Sequence, residues 1–198
     1  MGHLIFGLVL TFISLSEVTC GRAPAPSVHV PYQKSCEDFC VTSSVVTIDQ
    51  IKGIYYMVKM IPHFFLENVS CTYLNVSREL VDGGKYFEAV SVVDGNKRRN
   101  FGFLNITDNL IDISYTDLNL PLSGQIISFN ADIIAVVYCH DCGFYRKEDA
   151  GVYVNIFSNL LHIDYEDLKP IRKALQDCGI PFNALQKVDQ HHCRSRKC

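Results

Sequence analysis

Residues 51–71 read IKGIYYMVKMIPHFFLENVSC. A buried core strand, a membrane-seeking segment and the wall of a binding site would all be this apolar. Lys52, Gly53, Lys59 and Pro62 interrupt the run, so it lacks the ~20 consecutive apolar residues that span a bilayer. Gly53–Met60 reads instead as a short strand rich in Ile, Tyr and Val. Cys71–Val76 reads as the next strand. The link between them carries Phe64 and Phe65, either as an apolar rim or as a lid.

The same rhythm runs onward. Candidate strands follow at Lys85–Val92, Arg99–Ile106, Leu110–Tyr115, Gly124–Phe129, Ile133–Cys139 and Val152–Ser158. Turn-forming clusters separate them: DGG at 82–84, DGN at 94–96, TDN at 107–109, NLPLSG at 119–124 and KEDAG at 147–151. Gly, Asn and Asp tolerate the positive φ of tight hairpins. Eight short strands at hairpin spacing predict an all-β, antiparallel up-and-down barrel or a sandwich. Then the period changes. Leu168, Ile171, Leu175 and Cys178 fall at helical spacing, with Asp164 or Asp167 as the N-cap, Pro170 in the first turn favouring Asp167, and Gly179 past the end. Candidate strand Ile133–Cys139 is apolar on both faces, so this C-terminal helix is expected to pack outside the barrel. The segment NALQKVDQ at 183–190 adds one further short strand.

Near the N-terminus, Leu4–Leu15 is a twelve-residue apolar run followed by Val18-Thr19-Cys20. It is too short to span and fits a signal peptide over 1–20, cut before Gly21. Residues 21–35 form a Pro-rich extended leader, and 36–198 form the barrel domain with its helix and tail. Loss of the signal peptide removes one acid, Glu17, and no Lys or Arg, taking the formal charge from −3 to −2. Such near-neutrality gives no reason to expect nucleic acid or anionic membrane as a partner. No later stretch is apolar and long enough to be a transmembrane segment.

Eight cysteines remain: Cys36, Cys40, Cys71, Cys139, Cys142, Cys178, Cys193 and Cys198. An even count in a secreted chain reads as a disulfide framework. CHDC at 139–142 and HHC at 191–193 could begin a metal or redox site, but no second well-spaced pair follows, so no metal is expected. Asn68, Asn75 and Asn105 head N-x-Ser/Thr sequons and are expected to be glycosylated. There is no Gly-x-Ser-x-Gly and no His-Glu-x-x-His, and every mature cysteine has a candidate partner, so no catalytic residue is assigned.

Four blocks in order carry a family resemblance. The opening stretch, AVVYCHDC at 135–142, VNIFSN at 154–159 and KVDQHHC at 187–193 together resemble the lipocalins, nearest to the apolipoprotein D and insect bilin-binding branch. Three positions depart from the family pattern. Tyr55 stands where a Trp is usual, Asn130 near a usual Asp, and Asn159 where an Arg is usual. The resemblance implies a Cys71–Cys193 bridge and a bridge from Cys36 to either Cys139 or Cys142. Cys40 would then take the other of that pair, and Cys178 would join Cys198. It also implies a barrel cavity walled by Tyr55, Phe87, Phe101, Phe103, Tyr115, Phe129, Tyr138, Tyr153 and Asn155. The expected partner is a small hydrophobic ligand such as a fatty acid, sterol, retinoid or tetrapyrrole, with no cofactor required. A cell-surface receptor is a candidate partner. The other reading is a filled barrel that acts on proteins through its loops.

Overall fold

The computed structural model describes residues 45–61, 69–116, 121–130, 132–140, 151–191 and 193. Strands β1 (Gly53–Met60), β2 (Val69–Val76), β3 (Lys85–Val93), β4 (Asn96–Thr107), β5 (Leu110–Tyr115), β6 (Pro121–Phe129), β7 (Ile133–His140) and β8 (Gly151–Ser158) pair antiparallel, each with the next. Strand β1 pairs with both β2 and β8, which closes the barrel. Helix α1 (Lys169–Asp177) and a two-residue strand β9 (Gln186–Lys187) follow.

Turn chemistry sets the register. Asp94 and Gly95 both have positive φ, as do Asp108 and Asn109. These two-residue type I′ turns match the twist of the strands they join. Pairing therefore runs unbroken from Val93↔Asn96 to Lys85↔Leu104, and β4 begins three residues before its expected start. Between β6 and β7, Asn130 Oδ1 accepts the backbone N–H groups of Asp132 and Ile133 at 2.9 and 2.7 Å.

Two apolar cores share the barrel wall. Inward residues of all eight strands form the first. The second lies between the wall and α1. Val58, Ile127, Ile133, Ala135, Val137, Val154 and Ile156 point outward and meet Leu168, Ile171, Leu175 and Ile180. This explains why β7 is apolar on both faces. The helix ends as its sequence predicts. Gly179 takes φ +71°, its N–H donates to Gln176 O, and the Ile180 N–H donates to Leu175 O, a Schellman motif. Its start corrects the expected cap. A tight turn over Tyr165–Leu168 precedes the helix, so Leu168 occupies the N-cap. Asp167 sits inside that turn, where its Oδ2 accepts the Asp164 N–H.

One barrel end is sealed. Val46 and Ile51 are buried, and a short 3-10 turn (Ile48–Gln50) lies between them. Val46 N–H donates to Asn109 Oδ1 at 2.6 Å, and Lys85 Nζ donates to the Ile51 carbonyl at 3.0 Å. Lys85 is 1% exposed, and burial lowers its pKa. The resemblance leads one to look for this end's cation at 159. The chain supplies a buried one from β3, while Asn159 Nδ2 donates to Asp132 Oδ1. At the other end of β1 and β2, the C-terminal segment is fastened to the wall. Gln190 Nε2 donates to the carbonyls of Met57 and Thr72, at 2.7 and 2.9 Å. Cys71 N–H donates to Asp189 O, and Cys71 is disulfide-bonded to Cys193.

Candidate functional site

Strand alternation decides which side chains reach the interior. Gly102 faces inward beneath Phe87, where an added Cβ would come within 2.5 Å of the ring. Leu104 and Ile106 therefore also face inward, and residues 101, 103 and 105 face out. That corrects two expected wall residues. Phe101 is 51% exposed, and Phe103 packs outside against Tyr86.

The interior cavity measures about 30 Å³ and is lined by fourteen side chains. Of the expected residues, Tyr55, Phe87, Tyr115 and Tyr138 lie on this lining. Phe129 and Tyr153 are partly buried against the same core. Asn155 shares the inner face of β8 with Phe157 and is hydrogen-bonded to Tyr138. Sequence reading missed the aliphatic majority, including Ile51, Leu104, Ile111, Ile113, Ile126 and Val136. Their signal was alternation rather than aromaticity. Phe64, Phe65 and Asn68 lie outside the described residues, as do Cys36, Cys40, Cys142 and Cys198. Cys178 is disulfide-bonded.

Polarity is graded along the barrel axis. Towards the sealed end the lining is Ile51, Val76, Phe87, Leu104, Ile111 and Ile126, with Tyr55 as its one phenol. Towards the opposite end the inner faces carry Ser91, Asn100, Tyr115, Tyr138, Tyr153 and Asn155 alongside the apolar Leu122. Burial pushes the Tyr115 phenol up to about 12. Tyr138 is driven higher by burial and then by Tyr115, while the hydrogen bond with Asn155 opposes the shift. Both phenols are therefore neutral at physiological pH, and each can donate or accept a hydrogen bond. Burial also raises Tyr55, whose phenol is hydrogen-bonded to the Lys52 backbone. Among the described residues, no group of three or more His, Cys, Asp or Glu side chains could hold a metal ion. None of the helices described is long and apolar enough to cross a membrane.

No family model matches the chain, and no curated protein does. Solved structures do. Lobster apocrustacyanin A1 is 14% identical with a TM-score of 0.60, over 77% of this chain and 92% of that one. The cockroach allergen Per a 4 is 17% identical with a TM-score of 0.64, over 78% and 96%. The odorant-binding protein OBP1 is 11% identical with a TM-score of 0.55, over 79% and 99%. The shared architecture, a closed eight-stranded barrel with one helix outside, is the lipocalin fold.

Proposed function

We propose that this chain is a secreted lipocalin, akin to the apolipoprotein D branch, that binds and carries a small hydrophobic ligand. The observation that carries this reading is the polarity gradient. A floor that is apolar apart from the Tyr55 phenol, which is already hydrogen-bonded to the Lys52 backbone, beneath neutral tyrosines and amides suits a single-headed amphiphile that enters tail first. Burial of each CH₂ contributes ~0.8 kcal/mol gross, against the cost of immobilising the ligand. Tyr115, Tyr138 and Asn155 orient its hydroxyl, carbonyl or carboxylate head. OBP1 is by its name an odorant-binding protein, in line with a small apolar guest.

The cavity volume narrows the choice. Ligand pockets usually measure roughly 300–1,000 Å³, and this one is about 30 Å³. A thin alkyl chain is accommodated by moving a few side chains, and a rigid tetrapyrrole requires far more. The same volume favours a second reading, in which the barrel stays filled and the loops engage a protein. Titration of delipidated protein with a fluorescent fatty acid analogue separates them. Saturable binding, displaced by unlabelled fatty acid or alcohol and weakened by Tyr138→Phe, is expected. No saturable binding would favour the filled barrel, and an absorbance band in freshly isolated protein would redirect the search to a pigment.

A further inference from the structure

Two five-residue segments share one pattern. Tyr73-Leu74-Asn75-Val76-Ser77 closes β2, and Phe103-Leu104-Asn105-Ile106-Thr107 closes β4. Each holds a sequon with an aromatic residue two places before the acceptor asparagine. Side chains alternate along a strand, so ring and asparagine share a face. In both segments that face is the outer one. Leu74, Val76, Leu104 and Ile106 belong to the inner core, Asn75 is exposed and Asn105 is half-buried. Asn105 Oδ1 accepts the Ile106 N–H at 2.7 Å. Among the described residues, neither asparagine donates a hydrogen bond from Nδ2.

The two rings are held alike. Tyr73 meets Tyr56 edge-on at 6.2 Å, and Phe103 meets Tyr86 edge-on at 5.3 Å. Tyr73, Asn75 and Tyr56 also border an outer groove of about 790 Å³, with His162 and His191 on its rim. The inner core makes no use of these two half-buried rings. A pyranose has one face made of C–H groups, which suits the negative face of an aromatic ring. Residues i and i+2 lie about 6.6–6.8 Å apart along a strand, which is the reach of an asparagine-linked sugar folded back on its own strand.

We propose that Asn75 and Asn105 carry N-linked glycans whose first N-acetylglucosamine stacks on Tyr73 and Phe103, clamping each sugar to the barrel wall. Attachment forms a bond from Asn Nδ2 to sugar C1. It breaks the C1–O bond to a polyprenyl diphosphate carrier, which leaves with its electron pair as the amide proton is lost. The clamp rests on the secretory reading above.

The test uses the full chain expressed in a mammalian host that attaches high-mannose glycans. Glycopeptide mapping by mass spectrometry is expected to find both asparagines occupied. Endoglycosidase H then leaves one sugar per site. Urea unfolding is expected to show a folding constant roughly two- to tenfold larger for this form than for Asn105→Gln, the range of a paired aromatic contact. That gain should vanish in a Phe103→Leu background, and Tyr73→Leu should cancel the gain at Asn75 in the same way. NMR provides a second readout that does not depend on stability, because ring current should shift the stacked sugar's C–H protons upfield. Unmodified asparagines in protein recovered from the medium overturn the clamp alone. A chain retained in the cell without glycans overturns the secretory reading as well. A sugar gain unchanged by Phe103→Leu, or unshifted sugar protons, also overturns the clamp.

Discussion

Truncating Phe87 to alanine should weaken the fold and improve the site at once. The ring is 4% exposed, covers Gly102 and meets Tyr115 edge-on at 5.4 Å. Removing it from the core forfeits ~2–3 kcal/mol of apolar burial and ~0.5–1.5 kcal/mol of ring contact. Unrecovered space adds ~24 cal/mol per Å³. The sum is about 4 kcal/mol, within the usual span for Phe→Ala in a core. With a urea slope near ~2 kcal/mol per molar, the midpoint should fall by ~2 M. The vacated space adjoins the 30 Å³ cavity, so a straight-chain alcohol should bind Phe87→Ala more tightly than the parent. At a hundred times Kd it should return ~2.7 kcal/mol of stability. Urea titrations with and without the alcohol read both effects. A midpoint drop under ~0.5 M, or weaker binding by the variant, would refute the assignment of Phe87 to the ligand floor.

Alkaline titration examines the buried phenols. A phenol raised in the folded state contributes stability that is full below pH ~10 and is lost as pH climbs through the folded value. Tyr115, at about 12, should lose ~2.7 kcal/mol over that window, and Tyr138 adds to the slope. Urea midpoints at pH 9, 10 and 11 should fall less steeply for Tyr115→Phe, and equal slopes would contradict its burial. The Cys71–Cys193 bridge closes a 122-residue separation, so the Cys71→Ser, Cys193→Ser double variant should lose about 5 kcal/mol by unfolded-state entropy, read by urea unfolding. Gln190→Ala removes both hydrogen bonds to the barrel carbonyls and should cost ~2–3 kcal/mol, visible as a lower Tm. A Tm within a degree of the parent would show that water replaces the amide.

Much of the barrel was legible because its turns were. Asp-Gly and Asp-Asn pairs have few places to go except positive φ, and the strands between them had to pair as neighbours. Alternation on β4 was harder, since both faces are apolar. Phe101 and Phe103 outweigh Gly102 in any count of hydrophobicity, yet the small residue is the inward one because Phe87 lies over it. A sign was present all the same. Asn105 shares their face, and a polar amide is usually found on the solvent side of a strand. The helix N-terminus misled for a different reason. Asp164 and Asp167 offered rival starts, and the preceding tight turn, a matter of packing, moved the cap past both to Leu168. The buried Lys85 could not be foreseen, because a lysine at a strand start is usually solvated.

The wall of this vessel has unequal stiffness. Around β6, β7, β8 and β1 it is backed by a second core under α1, so bending it means unpacking two layers. Around β3, β4 and β5 it is a single sheet whose outward residues, among them Tyr86, Phe101, Asp112 and Ser114, face water. Any widening of the interior is therefore borne by the compliant half, with the helix-backed half as the fixed jaw. A guest would be admitted by the flexing of three strands, while the sealed end beneath keeps its shape.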